Sequence, residues 1–322
     1  MAERGEERTT VGRRRVGPGD LAPVRDMVSL FSRADQRHGG GHARTAVVQY
    51  LVSDVSPMLR GHFTDARVRR EMVSAAAELS YLSGWMAFDN GEHAVAQHYF
   101  TLAVSLAAEA DDPPLAGHVL RAMAHQAVDL GHPREAVRLA SAAVEGQRYA
   151  SAAPRERALL GIVHARALAA AGQRRAAATW LVRAEDDLAA ADAGDDEPGR
   201  VFFFSEASLA HETARALAAT GDLAGAQREF RRSVRTRKAS TFTRTHAVTL
   251  GYLGAVQARR GAIEEACVTW SRALGAMEGI HSARTRRIAT DMRSALSPMR
   301  GRGVSAVAEL DRRAATYLAE SA

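Results

Sequence analysis

The sequence predicts an all-α, right-handed solenoid of about five helical hairpins with capping helices at both ends. Three observations predict it. The composition is rich in Ala and poor in strand-forming runs, five glycines recur at nearly constant spacing, and small residues keep one register around each glycine.

Ala loses no side-chain rotamer freedom on entering a helix, whereas runs of Val, Ile and Thr, which favour strands, are scarce and aromatic residues make up only 6%. A length of 322 residues suggests two globular domains. A repeat array escapes that count, because each unit buries its apolar face on its neighbours. Cys267 is the only cysteine, so no internal disulfide can form and a reducing, cytoplasmic setting is expected. No run of about 18 apolar residues exists to span a membrane, and the polar, Arg-rich start lacks the apolar region of a secretory signal. The net charge is +6, and Lys238 is the sole lysine. Arg is the better fork for carboxylate or phosphate, but net charge alone does not make a nucleic-acid binder.

The elements follow in order. Residues 1–20 read as a disordered basic segment. Residues 21–64 read as an N-terminal hairpin cap, with helices over Leu21–Gln36 and Ala43–Leu59 joined flexibly at His38–His42. The repeats occupy 65–281, in units over 77–112, 115–150, 155–192, 201–238 and 243–280. Each unit turns on a glycine, Gly91, Gly131, Gly172, Gly221 or Gly261, at spacings of 40, 41, 49 and 40 residues. A glycine after an Ala-rich run is the usual left-handed helix stop. The acidic, turn-rich insertion Asp192–Gly199 accounts for the spacing of 49. Residues 282–322 supply C-terminal capping helices over Ser282–Leu296 and Val304–Leu318, because the open ends of a solenoid need polar covers.

Five residues after each glycine stands Ala96, Ala136, Ala177, Ala226 or Ala266, and four further on Phe100, Ala140, Leu181, Phe230 or Trp270. Seven before it stands Gly84, Ala124, Ala165, Ala214 or Gly254. Small residues thus recur where two helices must touch, which is the tetratricopeptide (TPR) logic.

The stretches Arg15–Asp20, His38–Arg44, Leu82–Asp89, Ala96–Phe100 and Gly131–Ala136 carry a further resemblance. With them the chain, over residues 15–320, resembles the C-terminal TPR region of actinobacterial regulators that bear an XRE-type helix-turn-helix at their N-terminus. The resemblance implies a regulatory setting, in transcription or in development and secondary metabolism. Fewer than 20 residues precede it, too few for the helix-turn-helix, so the chain reads as a stand-alone relative or a fragment, and direct operator binding is not favoured. By architecture the group is also similar to TPR-type peptide-pheromone receptors, which sense a short peptide.

In a TPR array the first helix of each pair lines the concave face. Helical spacing places Glu78, Tyr81, Trp85 and Asp89 there in the first unit, and His118, Arg121, His125 and Asp129 in the second. Arg166 occupies an equivalent place in the third unit, and His211 and Arg215 in the fourth. An aromatic anchor flanked by guanidinium and imidazole donors suits a peptide, its terminal carboxylate or an acidic segment of a partner. Packing of Tyr81 and Trp85 against the N-terminal hairpin is the competing reading.

His38 and His42 flank three glycines but have no Walker lysine and no carboxylate or thiolate beside them, so neither phosphate nor metal is expected. Phe202–Phe204 reads as the entry of the fourth repeat packing on the third, and Cys267 as a buried, inert thiol. Arg228, Arg231, Arg232 and Arg235, followed by Arg237 and Lys238, form one basic cluster. Arg284, Arg286, Arg287, Arg293, Arg300 and Arg302 form another. Neither has interleaved aromatics for base stacking, so solvated helix faces are expected over a phosphate or nucleic-acid footprint. No nucleophile elbow, HExxH or GxGxxG stands in a fitting context, and no cofactor is called for. The sequence therefore reads as a non-catalytic regulator with a peptide or protein partner and no membrane contact, leaving room for a homodimer. The alternatives are DNA contact through the Arg-rich helices or small-molecule sensing.

Overall fold

The computed structural model describes residues 14–191, 197–298 and 305–321. Five antiparallel helix pairs follow one another: α4 (Ala66–Asp89) with α5 (His93–Glu109), α6 (Pro113–Asp129) with α7 (Pro133–Ala143), and α9 (Pro154–Ala170) with α10 (Arg174–Ala189). The series continues with α11 (Glu206–Thr220) paired to α12 (Leu223–Thr236), and α13 (Thr243–Arg259) to α14 (Ile263–Met277). A short helix, α8 (Gln147–Ala150), stands between the second and third pairs. The predicted all-α helical array is the observed fold.

Each pair is joined by the same turn. The five loop glycines have φ between +76° and +93°. Beyond each glycine an amide reaches back across the helix end, as Glu92 does to the Ala87 carbonyl (2.8 Å) and His132 to the Ala127 carbonyl (2.8 Å). These bonds satisfy carbonyls that the helix end would orphan, the Schellman closure that a left-handed residue permits. The start of α12 is capped by Asp222, which accepts from the Gly225 amide (2.8 Å), and α4 by Asp65, which accepts from Val68 (2.9 Å).

The small-residue register is the packing surface within pairs. A Cβ on Gly84 would stand 2.7 Å from the Phe100 ring, and one on Gly254 would stand 2.4 Å from the indole Nε1 of Trp270. Phe100, Phe230 and Trp270 are buried, and Ala96, Ala136, Ala177, Ala226 and Ala266 are buried beside them. At the C-terminus α15 (Ala283–Leu296) and α16 (Ser305–Glu320) cover the last pair through Ile288, Met292, Val307 and Leu310. Cys267 is buried in that same cluster.

The N-terminal region departs from expectation in two ways. Within the segment read as disordered, Arg15–Val16 pairs in parallel with His62–Phe63, and Pro18–Asp20 forms a turn of 3-10 helix leading into α1 (Leu21–His38). Residues 1–13 lie outside the described residues, as do the core of the acidic insertion, 192–196, and Arg300 and Arg302. The connection at His38–His42 is tight instead of flexible. Gly39 (φ +88°) turns the chain alone, and α2 (Gly40–Tyr50) begins at once. A Cβ on Gly40 would fall 2.4 Å from the Met86 carbonyl oxygen. α2 runs on through a π turn (Leu51–Val55) into α3 (Ser56–Leu59).

The hairpin α1–α2 does more than cap one end. Asp35 on α1 meets Arg244 on α13, 209 residues away (2.8 Å). The His281 amide donates to the His38 carbonyl (2.9 Å), and the Gly41 amide to the His281 carbonyl (3.1 Å). The array is thereby curled until its N-terminal hairpin touches its last repeat, and the concave faces of the pairs look onto a shared interior that stays partly open to solvent.

Gly254→Val tests the small-residue register. The branched side chain must displace a buried indole that itself donates to the Gly251 carbonyl (3.0 Å), so urea unfolding is expected to show a loss of about 2 kcal/mol.

Candidate functional site

Each first helix turns its polar stripe inward, and the eleven residues expected on the concave side all lie there. Of the eleven, only Glu78 borders an open groove. Asp89, His118, Arg121, His125, Arg166 and His211 are buried, and they are knitted to one another across the units.

Three arginine-centred networks account for most of them. Arg244 donates to Asp35 (2.8 Å) and Asp89 (2.8 Å), and Asp89 also accepts from the Gly40 amide (2.9 Å). Arg166 pairs with Asp129 and Glu212, with His125 against its Nη1 (3.1 Å) and Arg215 on the far side of Asp129 (3.3 Å). Arg200 pairs with Glu156 (2.7 Å) and reaches Glu78 (3.6 Å) and Asp112 (3.8 Å). Each guanidinium bridges carboxylates from different helices, which a compact ammonium cannot do with the same fork.

Arg121 pairs with no carboxylate and meets these networks only through His118, whose Nδ1 lies 3.2 Å from Glu156. Its Nη2 donates to the Tyr81 hydroxyl (2.6 Å) and meets His118 Nε2 (2.8 Å). Its guanidinium stands 5.4–5.8 Å from the ring centres of Trp85, Tyr81 and Phe203. Trp85 and Tyr81 therefore serve the interior, packing on Arg121 and the second unit as well as near α1.

Burial sets the protonation states. It pushes His118 down to about 3, Arg121 adding to it and Glu156 opposing. It pushes His125 down to about 4, reinforced by Arg166, and His164 to about 4. His211 also falls well below its usual value through burial, its Nδ1 sharing a hydrogen bond with the Thr249 hydroxyl (2.8 Å). Burial works against the charge of Glu156, yet Arg200 and His118 hold it down to about 2. Asp35 goes the other way: burial raises it to about 6 in spite of Arg244.

The cavities follow the same axis. An outer groove of about 1050 Å³ runs between α1, α4, the 110–114 turn and Glu197–Arg200. An interior cavity of about 60 Å³ lies at the centre, lined in part by Trp85, Arg121, His211, Arg237, Arg244 and Arg284. Between them a constriction of about 30 Å³ shares Glu78 and Arg200 with the groove and Trp85 and Phe203 with the cavity. The connection after α10 supplies this plug. Phe204 is buried, Phe203 packs on the third-unit core, and Phe202 stays partly exposed against Phe242.

Sequence reasoning missed Glu156, Glu212, Arg244, Asp35, Arg200, Arg237 and Arg284 as interior residues. Glu156 and Arg244 lie one helical turn before the stripe and would have been found by extending it. Two corrections concern the basic clusters. Arg237 is not on a solvated face: it is 7% exposed and turned inward, donating to the Ala207 carbonyl (2.8 Å). Arg284 lines the interior cavity. By contrast Arg231 pairs with Glu265, and Arg232 with Glu206 (2.8 Å) and Glu229 (3.4 Å). His38, His42 and His281 gather their rings at one edge (4.7 and 6.5 Å between centres). Among the described residues no group of His, Cys, Asp and Glu has the makings of a metal site. No described helix is long and apolar enough to cross a membrane.

Comparison with known proteins yields the fold alone. No protein-family model matches the chain, and no curated protein matches it in sequence. Among solved structures, the crystal structure of a Rap protein complexed with competence and sporulation factor superposes with a TM-score of 0.56. The match covers 94% of this chain and 98% of that one at 12% identity.

Two predictions follow from the buried charges. Arg244→Ala leaves Asp35 and Asp89 without their cation in the interior, and is expected to cost about 3–5 kcal/mol in urea unfolding. The second concerns acid. His118, His125 and His164 are neutral when folded down to about pH 3–4, but charge near 6.5 when unfolded. The unfolded chain therefore binds more protons below 6.5, and stability falls as pH drops from 7 to 5, by about 2 kcal/mol per histidine. Asp35 offsets part of this, since its folded value of about 6 exceeds the unfolded one and its protonation favours the folded state between them. Glu156 contributes no slope there, its own loss falling between 4.5 and about 2. Urea midpoints at pH 7 and 5 read the net fall, and His118→Gln should reduce it.

Proposed function

We propose that this chain is a non-catalytic regulatory receptor that binds a peptide, or an extended segment of a partner protein, on the concave side of its helical array. The observation that carries the reading is the outer groove of about 1050 Å³, which leads through one constriction to an interior lined by Trp85 and guanidinium groups. A fold needs apolar side chains at its centre. Charged residues kept there at a cost in desolvation are retained for specificity or for a ligand. The groove edge mixes Arg25, Arg67 and Arg70 with Glu71, Asp111 and Asp112, a pattern suited to the alternating charges and amides of an extended chain. The Rap protein of like fold, itself complexed with a factor, supports the same class of function. A role in transcriptional or developmental control, in a cytoplasmic setting, is part of this reading.

DNA contact through α12 is the weaker alternative. Two of its four exposed-face arginines, Arg231 and Arg232, are engaged by carboxylates and so less able to release counterions from phosphate.

The test begins with the full chain purified from its own host and the peptides that accompany it. A recovered peptide, resynthesised, should bind the wild type in titration calorimetry. It should lose at least about tenfold on Trp85→Ala, which empties the throat, and on Ser29→Trp, which fills the outer groove. Unchanged affinity in both variants, with helicity retained, would rule out the concave side as the binding face.

A further inference from the structure

The interior cavity holds more cation than its own carboxylates balance. Four guanidiniums line it, those of Arg121, Arg237, Arg244 and Arg284, against the single carboxylate of Glu212. Arg244 is matched by Asp35 and Asp89, and Glu212 is already committed to Arg166. The other three form no ion pair with any carboxylate of the described residues.

Two of the unmatched groups are deeply buried, Arg121 at 2% exposure and Arg237 at 7%. Their Nε atoms, and that of Arg284, are shielded from solvent and have no hydrogen-bond partner. A buried donor without an acceptor costs the full desolvation of that group, and more when it is charged. Burial pulls Arg237 down to about 10, Glu212 relieving it in part and Arg244 adding to the loss. The partners these groups do have are neutral: the Tyr81 hydroxyl, His118, the Ala207 carbonyl and the Ser233 hydroxyl. Elsewhere in this interior Arg166, Arg200 and Arg244 each bridge carboxylates, and Arg215 pairs with one. The three exceptions come from α6, the end of α12 and α15, and they converge on one space. At about 60 Å³ that space takes several waters, or one small oxyanion.

We infer that the interior cavity is an oxyanion site, in which Arg121, Arg237 and Arg284 hold a carboxylate or phosphoryl group of the ligand. Guanidinium forks match both groups, each offering planar or tetrahedral oxygens to paired N–H donors. The inference rests on the receptor reading for what carries the anion: an acidic side chain, a terminal carboxylate or a phosphorylated residue. The site itself is tested without any peptide.

The apparent Tm of the full chain is measured against increasing phosphate and, separately, succinate, with chloride at matched ionic strength as reference. Tryptophan fluorescence is followed in parallel, because the Trp85 ring lies 5.4 Å from the Arg121 guanidinium. The expected result is a saturable rise of about 2–4 °C over chloride with at least one oxyanion, and a fluorescence change with the same midpoint. The stronger responder assigns the anion as phosphoryl or carboxylate. Arg121→Gln and Arg237→Gln should abolish the response while leaving Tm in chloride unchanged or raised, because an unmatched buried charge has been removed. Arg284→Gln, at a half-buried position, should weaken it at least tenfold and serves where the buried variants unfold. A wild-type response no greater than that to chloride overturns the site, and so does a response that survives all three substitutions. Either failure leaves the peptide reading to the Trp85 and Ser29 variants, whose failure in turn leaves the anion result standing.

Discussion

The structure depends on the contact of Arg244 with Asp35 and Asp89. A helical-hairpin array has no intrinsic reason to close, since each unit is satisfied by its neighbours. Here one guanidinium on the last pair reaches a carboxylate on the N-terminal hairpin and another on the first pair, all three essentially without solvent exposure. The attraction between such groups is repaid only when geometry is good and the remaining lone pairs are used. Asp89 meets that condition by accepting also from Gly40, the residue at which the hairpin backbone presses on Met86. Asp35 meets it less well: one of its oxygens has no partner, and its carboxyl is raised to about 6 by burial. The weaker half of the clasp is thus the half that joins the two ends of the chain.

Closure decides the electrostatics of everything inside. Once the concave face is withdrawn from water, each polar side chain on it needs a partner from another unit. That explains why a chain with a single lysine places so many arginines here. Arg166, Arg200 and Arg244 each gather carboxylates from different parts of the array, and in doing so tie its units together. The histidines between them stay neutral because burial disfavours their charged form, and the neighbouring guanidinium adds to that. The pattern is regular enough that Arg121, Arg237 and Arg284 stand apart by lacking it.

The repeat was legible in the sequence because its determinants are local. A glycine that must take positive φ, an Ala five residues on and a small residue seven before are all set within one hairpin. The concave stripe was legible for the same reason, and the residues from Glu78 to Arg215 were found by spacing alone. What could not be read was whatever depends on the array curling shut. Asp35 and Arg244 are 209 residues apart, and nothing in either helix announces the other. The same ignorance placed Arg237 and Arg284 on solvated faces, although each sits at the end or beginning of a helix where the closed ring turns it inward. Arg200 escaped because it lies in the connection that breaks the repeat spacing. From the sequence that insertion is extra loop; in the fold, its last residues fill the entrance to the interior.

That plug connects the closed ring to its use. The constriction of about 30 Å³ passes a water or two but no chain-borne group. From the outer groove, anything larger reaches the interior by displacing Phe203 or Arg200, or by opening the clasp between α1 and α13. The two routes differ in what they disrupt. Moving Arg200 breaks its buried, bidentate pairing with Glu156 along the Nε–Nη2 edge (2.7 and 2.9 Å), and strips a cation from Glu78 and Asp112. Opening the clasp takes both the carboxylate and the backbone carbonyl of Asp35 from Arg244 (2.8 and 3.2 Å), parts Thr245 from Gln36 (3.3 Å), and breaks the two backbone bonds of His281 to His38 and Gly41.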